Sequence, residues 1–535
     1  MELVICILVG IIVFQWVRAH NLSNRAKREQ QEYQKSDGQH RAKIKALEIE
    51  KTNLLEQVDG HLREISTLKD ALIESERKLD FYKNIESASG ELNAPSAVYE
   101  HNAQLDPEQS AICIEMECSR DNFFITGKAG TGKSFLLDAF KKKTQKRYIV
   151  LAPTGIAALN VGGVTLHSAF GYNNLVNLDI DDISDNSIRL KSEKQLALRQ
   201  VATIIIDEIS MVRADTLDKI DRILKVINRN DSPFGGKQLL LFGDLFQLPP
   251  IAQPKEREYL YDRYGGIHFF CADAYRRANF HFRELTINHR QKEDVVYFEL
   301  LNRVRDGSVT SEDIQTLNTK VTQDSSVYDR FTTLLPTKAE VEQLNQSHIR
   351  QLDSREYSYH ATITYDKYPD KKHSLEALFP IANTLRLKAG ALVMMVANDP
   401  EHRWVNGTLG IVKKLSKSSI SVAIKTIVYD ICPVEFSEQE VTYEDGKLMY
   451  KKVLTVMQYP IVPAYAITIH KSQGQTYNNI VCDIDRCFAD GQAYVALSRC
   501  SSLNGLHLTR RISRASIRVD RNVLDFYHNS ISQTS

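Results

Sequence analysis

Residues 123–134 read FFITGKAGTGKS, and this stretch decides the fold class. Its first residues are apolar or β-branched, as in a buried strand, and the remainder matches the phosphate-loop pattern GxxxxGK[ST]. A helix-like run, Phe135–Phe140, follows it. A strand, a glycine-rich loop and a helix in this order predict a nucleotide-binding site that takes ATP and Mg²⁺.

The residues of this loop have separate roles. Glycines let backbone N–H groups point at phosphate oxygens, Lys133 reaches the β- and γ-phosphates, and the Ser134 hydroxyl binds Mg²⁺. The predicted nucleotide contacts are therefore Gly127, Lys128, Ala129, Gly130, Thr131, Gly132, Lys133 and Ser134.

A second apolar run, Ala202–Ile206, ends in the carboxylates Asp207 and Glu208. Both lie at the carboxyl edge of the sheet, beside the phosphate loop, if the run is a parallel strand. Asp207 then binds Mg²⁺, and Glu208 activates the attacking water. The alternative is a pair of carboxylates that only caps the following helix.

A third run, Leu239–Phe242, leads into GDLFQLPP at residues 243–250. Gln247 is placed to hydrogen-bond the γ-phosphate or the attacking water. Phosphoryl transfer also needs positive charge from outside the first domain. Arg290 and Arg499 are the candidates for that charge, although a single arginine is more often a surface residue.

After residue 103, short apolar runs alternate with helical stretches, and this pattern predicts an α/β fold. Four runs are hydrophobic through their length, as strands buried on both faces of a parallel sheet are: Asn122–Thr126, Tyr148–Leu151, Thr203–Ile206 and Gln238–Phe242. Beyond Trp404 three runs alternate instead: Leu409–Val412, Ser419–Lys425 and Lys447–Val456. These predict a small β-barrel, inserted before the α/β pattern resumes near Tyr459, in which Trp404 packs or stacks on a base.

The first segment of the chain differs in kind. Leu3–Val17 is almost wholly apolar and is followed by basic residues up to Arg28. A helix of this length spans roughly 22–25 Å, against ~30 Å of hydrocarbon. A signal peptide would carry positive charge before the apolar run, where Glu2 stands. We therefore expect a membrane anchor with the body of the protein in the cytoplasm, the alternatives being a cleaved signal peptide and a core helix.

From Ile44 to Tyr82 apolar residues recur with spacings of three and four. Charged residues fill the positions between them, which is typical of a coiled coil. The pattern favours self-association into a homo-oligomer, and the alternative is one amphipathic helix on the globular body.

Composition sets only loose limits. The 535 residues carry a formal net charge of +1, so any nucleic-acid site must be a local groove. The eight cysteines lack CxxC spacing, which argues against a zinc site or a disulfide framework.

The order of the motifs resembles the Pif (petite integration frequency) branch of superfamily I DNA helicases, which is related to RecD. The resemblance covers residues 104–513 and rests on eight segments in the family's order. They are LDPEQ (105–109), GKAGTGKS (127–134), APTGIAA (152–158) with GGVTLHS (162–168), DEISM (207–211), GDLFQLPP (243–250), LTINHRQ (285–291), ITIHKSQGQT (467–476) and AYVALSR (493–499).

The resemblance implies two RecA-like domains with ATP between them, an inserted SH3-like barrel, and 5′→3′ movement on single-stranded DNA. It implies that Gln109 reads adenine and that Arg290 and Arg499 are arginine fingers. The implied DNA contacts are Thr154, Gly155, His167, Thr468, His470, Lys471 and Ser472. Short hydroxyl and basic groups suit phosphate contact, but each is equally suited to a helix cap or a buried polar position.

The predicted organisation is an anchor (1–20), a coiled coil (21–86), a linker (87–103), a first RecA-like ATPase domain (104–283), a second RecA-like domain in two parts (284–404 and 458–515), the SH3-like barrel between those parts (405–457), and a C-terminal tail (516–535). The leading hypothesis is a membrane-tethered, ATP-dependent helicase that acts on single-stranded DNA and duplex junctions. The alternatives are an RNA helicase and a membrane-bound scaffold whose ATPase acts as a switch.

Overall fold

The computed structural model describes residues 105–534 except 178, 288, 290–293, 325, 366–374 and 445, together with residues 24 and 49–53. The predicted anchor (1–20) and linker (87–103) lie outside the described residues, and so does nearly all of the predicted coiled coil (21–86). Within the described part, every helix is too short or too polar to cross a bilayer.

A six-stranded parallel sheet, the first sheet, forms the N-terminal half of the described chain, in the order β3-β2-β4-β5-β1-β6. Its strands are β1 (Phe123–Gly127), β2 (Tyr148–Ala152), β3 (Val164–Thr165), β4 (Thr203–Ile206), β5 (Gln238–Phe242) and β6 (His281–Leu285). The central strands are buried on both faces, which is why they read as unbroken apolar runs. Strand β6 ends at Leu285, so the first sheet extends past residue 283, where the predicted first domain ends.

Helices cover both faces of the first sheet, as a parallel sheet requires. They are α1 (Pro107–Cys118), α2 (Lys133–Lys143), α3 (Gly155–Val161), α4 (Leu166–Phe170), α5 (Tyr172–Val176), α6 (Ser192–Gln200), α7 (Ala214–Asn228), α8 (Pro254–Tyr264) and α9 (Asp273–Arg277).

A four-stranded parallel sheet, the second sheet, has the order β18-β7-β19-β20. Its strands are β7 (Thr333–Leu335), β18 (Ala466–Thr468), β19 (Ile480–Cys482) and β20 (Leu506–Leu508). The helices of this half are α10 (Val295–Asp306), α11 (Ser311–Asn318), α12 (Ser326–Arg330), α13 (Lys338–Gln351) and α15 (Gln492–Leu497). The α/β class with two parallel sheets is therefore confirmed.

Antiparallel strands fill the chain between β7 and β18. They are β8 (Tyr357–His360), β9 (Thr362–Tyr365), β10 (Thr384–Leu387), β11 (Leu392–Met395), β12 (Leu409–Leu415), β13 (Ile420–Ile424), β14 (Ile427–Ile431), β15 (Val434–Glu444), β16 (Lys447–Gln458) and β17 (Ile461–Pro463), with a short helix α14 (Leu375–Leu378) among them. Strand β9 pairs with β16 and β11 pairs with β12, while β8 and β10 pair with each other, so the β-rich insertion begins before residue 405. An SH3-like closure of this insertion stays a prediction.

Trp404 lies in a small apolar core of the five-stranded sheet β14-β13-β12-β11-β17. Its ring meets Tyr429 edge-on at 5.6 Å, and the Arg403 guanidinium lies 4.7 Å from its centre. The indole is 7% exposed, so the structure assigns it a packing role.

The predicted C-terminal tail (516–535) is instead a folded element. Helix α16 (Arg521–Thr534) packs on the first sheet, with the Phe526 ring stacked on Phe270 at 4.2 Å and 6.4 Å from Phe124 of β1. The prediction of a tail overlooked the apolar spacing of Val523, Phe526 and Tyr527, which is that of an amphipathic helix.

Candidate active site between the two sheets

The phosphate loop joins β1 to α2 and has the backbone that the glycines predict. Gly127, Gly130 and Gly132 have φ values of 153°, 89° and 83°, which side chains with a Cβ adopt poorly. A Cβ on Gly127 would lie 2.6 Å from the Thr131 hydroxyl oxygen. The loop therefore turns tightly and delivers its backbone N–H groups at the N-terminus of α2, where an anion is favoured.

Lys133 opens α2 and folds back into the loop. Its ammonium donates to the carbonyls of Gly127 at 2.7 Å and Lys128 at 3.1 Å. Burial lowers the pKa of this ammonium. Both partners of the Lys133 ammonium in this structure are neutral carbonyls. A charged phosphate oxygen accepts a stronger hydrogen bond, so we expect the ammonium to move to it when nucleotide binds.

Gln109 lies beneath the phosphate loop. Its side-chain amide donates to the Thr131 carbonyl at 3.3 Å, and its side-chain oxygen accepts from the Asp106 N–H at 3.3 Å in a capping box at the start of α1. A Cβ on Gly132 would lie 2.5 Å from this amide nitrogen. The structure thus brings Gln109 to the loop, while its contact with adenine stays a prediction.

Asp207 and Glu208 follow β4 at the carboxyl edge of the first sheet. Burial raises the pKa of Asp207 to about 6. Burial, and then the neighbouring Asp207 charge, raises the pKa of Glu208 to about 7. A buried carboxylate is stabilised by a cation, and a carboxylate with a raised pKa is a stronger general base near neutral pH.

The backbone at Glu208 is left-handed, with φ at 51°. This conformation is strained for a residue with a long side chain, and such strain clusters at functional sites.

The oxygens of Ser134 and Asp207 fit a Mg²⁺ ion that is held mainly by the phosphates of ATP. Within the described part of the chain, three or more His, Cys, Asp or Glu side chains never gather into a metal cluster. Mg²⁺ bound to ATP takes one or two protein oxygens and completes its shell with phosphates and water. Ser134 at the start of α2 and the buried Asp207 are the oxygens that would hold it.

Gln473 is a site residue that the sequence prediction missed. Its amide nitrogen donates to the Glu208 carboxylate at 2.8 Å and to the Gln247 side-chain oxygen at 3.1 Å. Gln473 belongs to the segment 467–476 that follows β18 of the second sheet. The signal for it was its place in the motif ITIHKSQGQT, but only the tertiary fold shows which side chain of that motif faces Glu208.

Tyr494 is a second missed residue. Its hydroxyl accepts a hydrogen bond from the Ala129 N–H of the phosphate loop at 3.0 Å. Tyr494 lies in α15, five positions before Arg499. A residue of the second sheet's half therefore touches the loop that binds phosphate.

Arg499 is buried. Its guanidinium donates to the carbonyls of Val495 at 2.9 Å and Gln475 at 3.2 Å, and to the Ser498 hydroxyl at 2.8 Å. Its charge lowers the pKa of Glu208, though less than burial raises it. The structure thus brings Arg499 to the site, and its role as an arginine finger stays a prediction.

Arg290 lies outside the described residues. The preceding described residue, His289, donates its N–H to the Gly130 carbonyl at 3.0 Å and pairs with Asp106 at 2.9 Å.

The predicted DNA contacts of the first sheet lie around α3 and α4. The Thr154 hydroxyl caps α3 by accepting from the Ala157 N–H at 3.2 Å. Gly155 lies so close to the insertion that a Cβ would be 2.1 Å from the Leu378 carbonyl oxygen. The His167 ring lies 5.4 Å from the Tyr172 ring. Their contact with DNA stays a prediction, and Thr154 has a capping role besides.

The predicted DNA contacts of the second sheet lie on the same segment as Gln473. The Thr468 hydroxyl accepts from the Lys471 N–H at 3.2 Å. Burial lowers the pKa of His470, which favours its neutral form. Ser472 is fully buried, and its hydroxyl donates to the Ile469 carbonyl at 2.8 Å. Ser472 therefore holds the turn in this structure, and its contact with DNA remains untested.

The chain is similar to known proteins over most of its length. The sequence profile described as "PIF1-like helicase" matches residues 104–315. A protein of Bdellovibrio bacteriovorus named "ATP-dependent DNA helicase Pif1" is 34% identical over 435 residues, which are 80% of this chain and 92% of that protein.

Two solved structures are also similar. A Bacteroides Pif1 in complex with ADP-AlF4 has a TM-score of 0.73 and 36% identity, over 81% of this chain and 98% of that one. A Bacteroides Pif1 bound to single-stranded DNA has a TM-score of 0.59 and 36% identity over the same shares.

Proposed function

Because the chain belongs to the Pif1-like family of ATP-dependent DNA helicases, we propose that it translocates 5′→3′ on single-stranded DNA and separates strands at duplex junctions. One observation carries the proposal. The segment 467–476 holds the predicted DNA contacts Thr468, His470 and Lys471, and it also holds Gln473, which hydrogen-bonds Glu208 and Gln247. A shift of this segment on DNA therefore moves a group that touches the hydrolytic carboxylate.

The residues then divide the hydrolysis of ATP between them. The phosphate loop binds the phosphates, and Lys133 leaves the Gly127 and Lys128 carbonyls for a phosphate oxygen. Ser134 and Asp207 would hold Mg²⁺, which would supply positive charge to the phosphates. Glu208 accepts a proton from the attacking water, and Gln247 orients that water or the γ-phosphate. Arg290 and Arg499 stabilise the charge that develops on the transferred phosphoryl group.

The direct test compares ATP hydrolysis by the full-length protein alone, with single-stranded DNA and with single-stranded RNA of the same sequence. We expect DNA to raise the rate at saturating ATP. An unchanged rate with DNA would overturn the proposal, and stimulation by RNA alone would favour the RNA helicase.

Direction has its own test. Duplexes with a single-stranded tail at either the 5′ or the 3′ end distinguish the two polarities, and we expect separation only from the 5′ tail. The opposite preference would contradict 5′→3′ movement.

We further propose that residues 1–20 anchor the protein in a membrane with its helicase part in the cytoplasm, and that residues 21–86 join copies of the chain. The apolar run Leu3–Val17 and the heptad pattern of Ile44–Tyr82 support this. Deletion of residues 1–20 is expected to release the protein from the membrane fraction with its ATPase intact. A truncated protein that still sediments with membranes would contradict the anchor.

A further inference from the structure

Arg305 is a buried cation with no part in the sequence prediction. Its side chain is 4% exposed, and its guanidinium donates twice to one oxygen of the fully buried Asp244, at 3.1 Å and 3.3 Å. Arg305 lies in the last turn of α10, which belongs to the second sheet's half because the Tyr297 hydroxyl donates to the Leu497 carbonyl at 2.7 Å. Asp244 belongs to GDLFQLPP after β5 of the first sheet. The ion pair therefore joins the two halves of the active site.

The surroundings hold the guanidinium of Arg305 in one place. It lies 4.1 Å from the centre of the Phe246 ring and 5.1 Å from that of Tyr527 in α16. The Tyr527 hydroxyl is itself fixed by the Glu284 carboxylate at 2.7 and 2.8 Å. Cation–π attraction to these two rings stabilises the desolvated guanidinium in this position.

A chain of hydrogen bonds runs from this ion pair to Glu208. The Gln247 amide nitrogen donates to the second oxygen of Asp244 at 3.3 Å. The Gln247 oxygen then accepts from Gln473 at 3.1 Å, and the same Gln473 nitrogen donates to Glu208 at 2.8 Å. Each link is within hydrogen-bonding distance.

The polarity of this chain follows from its charged end. Burial alone would raise the pKa of Asp244, but Arg305 and Lys133 outweigh it and hold that pKa below its usual range, so Asp244 only accepts hydrogen bonds. Gln247 must then turn its nitrogen to Asp244 and its oxygen to Gln473. Gln473 in turn must present its nitrogen, and thus a donor, to Glu208.

We propose that Arg305 is a positioning residue for ATP hydrolysis, which orients the catalytic Glu208 through Asp244, Gln247 and Gln473. The inference rests on the proposed role of Glu208 as the general base. It implies that the second sheet's half controls hydrolysis by a route separate from the arginine fingers, because withdrawal of α10 breaks the ion pair and frees both glutamine amides to rotate.

The test uses the full-length protein and the Arg305→Met variant, which keeps a long apolar side chain and removes the charge. A misplaced catalytic group loses rate rather than ground-state binding, so we expect DNA-stimulated kcat to fall roughly 10- to 100-fold. We expect KM for ATP to stay within about twofold, since the phosphate loop is untouched. Arg305→Lys restores the charge without the fork and is expected to recover part of kcat.

Arg303→Met is the matched control. Arg303 lies on the same helix but forms a two-pronged ion pair with Asp313, at 2.8 Å for each bond. We expect wild-type kcat for this variant. The control shows whether the loss of any arginine from α10 lowers kcat, or only the loss of Arg305.

A double variant tests the route itself. If Arg305 acts through Gln473, the Arg305→Met/Gln473→Ala protein hydrolyses ATP no more slowly than Gln473→Ala alone. Losses that multiply in the double variant, or a wild-type kcat for Arg305→Met, would overturn the proposal. If Arg305→Met fails to fold by circular dichroism, the isosteric Asp244→Asn is judged by the same two criteria. An inactive wild-type protein would instead overturn the proposed function.

Discussion

At the scale of single residues, the structure constrains the backbone, the pKa and the orientation of the Glu208 carboxylate. Glu208 has a left-handed backbone, a pKa raised to about 7 and a hydrogen bond from Gln473. The sequence alone predicted Glu208 as a catalytic group because paired carboxylates follow an apolar strand. It could not predict Gln473, Tyr494 or Arg305, because their importance comes from contacts between residues that are far apart in the chain.

Glu208→Gln is expected to bind ATP and to hydrolyse it at least about 100-fold more slowly, because the amide cannot accept the proton from water. The amide also occupies the same space as the carboxylate, so nucleotide binding should survive. Steady-state ATPase assays with a fluorescent-nucleotide binding assay measure both properties. Hydrolysis near the wild-type rate would remove Glu208 from its assigned role.

Tyr494→Phe is expected to raise KM for ATP roughly fivefold, because the Ala129 N–H loses a hydrogen bond that contributes about 1 kcal/mol to holding the loop. Kinetics over a range of ATP concentrations provide the measurement. Tyr261→Phe, at an exposed tyrosine of α8, is the control. A lower KM would mean that the Tyr494 hydroxyl competes with phosphate for this N–H.

At the scale of elements, the sequence predicted strands more accurately than the insertion or the C-terminus. The strands of the first sheet were legible because burial on both faces makes each one an unbroken apolar run. The insertion begins earlier than predicted. Its first strands were missed because β8 and β9 are short, partly exposed and carry little apolar pattern. Helix α16 was missed, although Val523 and Phe526 have the spacing of one helical face.

Phe526→Ala is expected to lower the free energy of unfolding by about 2 kcal/mol, because this half-buried ring packs on Phe270 and Tyr275. Urea denaturation monitored by far-UV circular dichroism measures the change in the free energy of unfolding. His528→Ala, at an exposed position of the same helix, should leave stability within about 0.5 kcal/mol. Equal stability of the two variants would show that α16 contributes little to packing.

At the scale of the whole described chain, the hairpin of β15 and β16 joins the insertion to the first sheet's half. Glu440 near the middle of β15 pairs at 2.8 Å with Lys194 of α6 and at 3.2 Å with Lys191, which directly precedes that helix. The Ser168 hydroxyl donates to the Gln439 carbonyl at 2.8 Å. Such a contact is invisible in the sequence, because Lys191 and Glu440 are 249 positions apart in the chain.

Glu440→Ala is expected to destabilise the protein by about 1–2 kcal/mol, because the buried Lys194 ammonium keeps the Ser168 carbonyl but loses its carboxylate. Thermal and urea denaturation report the change. Lys194→Met in the same protein should remove most of that cost, since no buried charge is then left unpaired. Glu444→Ala at the exposed tip of the hairpin is the control, and an equal effect there would contradict this account.

Helix α16 has a consequence for how the protein is made. The ribosome releases the first sheet's half long before it makes Phe526 and Tyr527, which cover aromatic side chains beside β1. During translation that patch has no cover, and the phosphate loop also lacks the Tyr494 contact. We therefore expect the nascent chain to be a substrate for chaperones until α16 emerges, and ATP hydrolysis to begin only after α16 has been made.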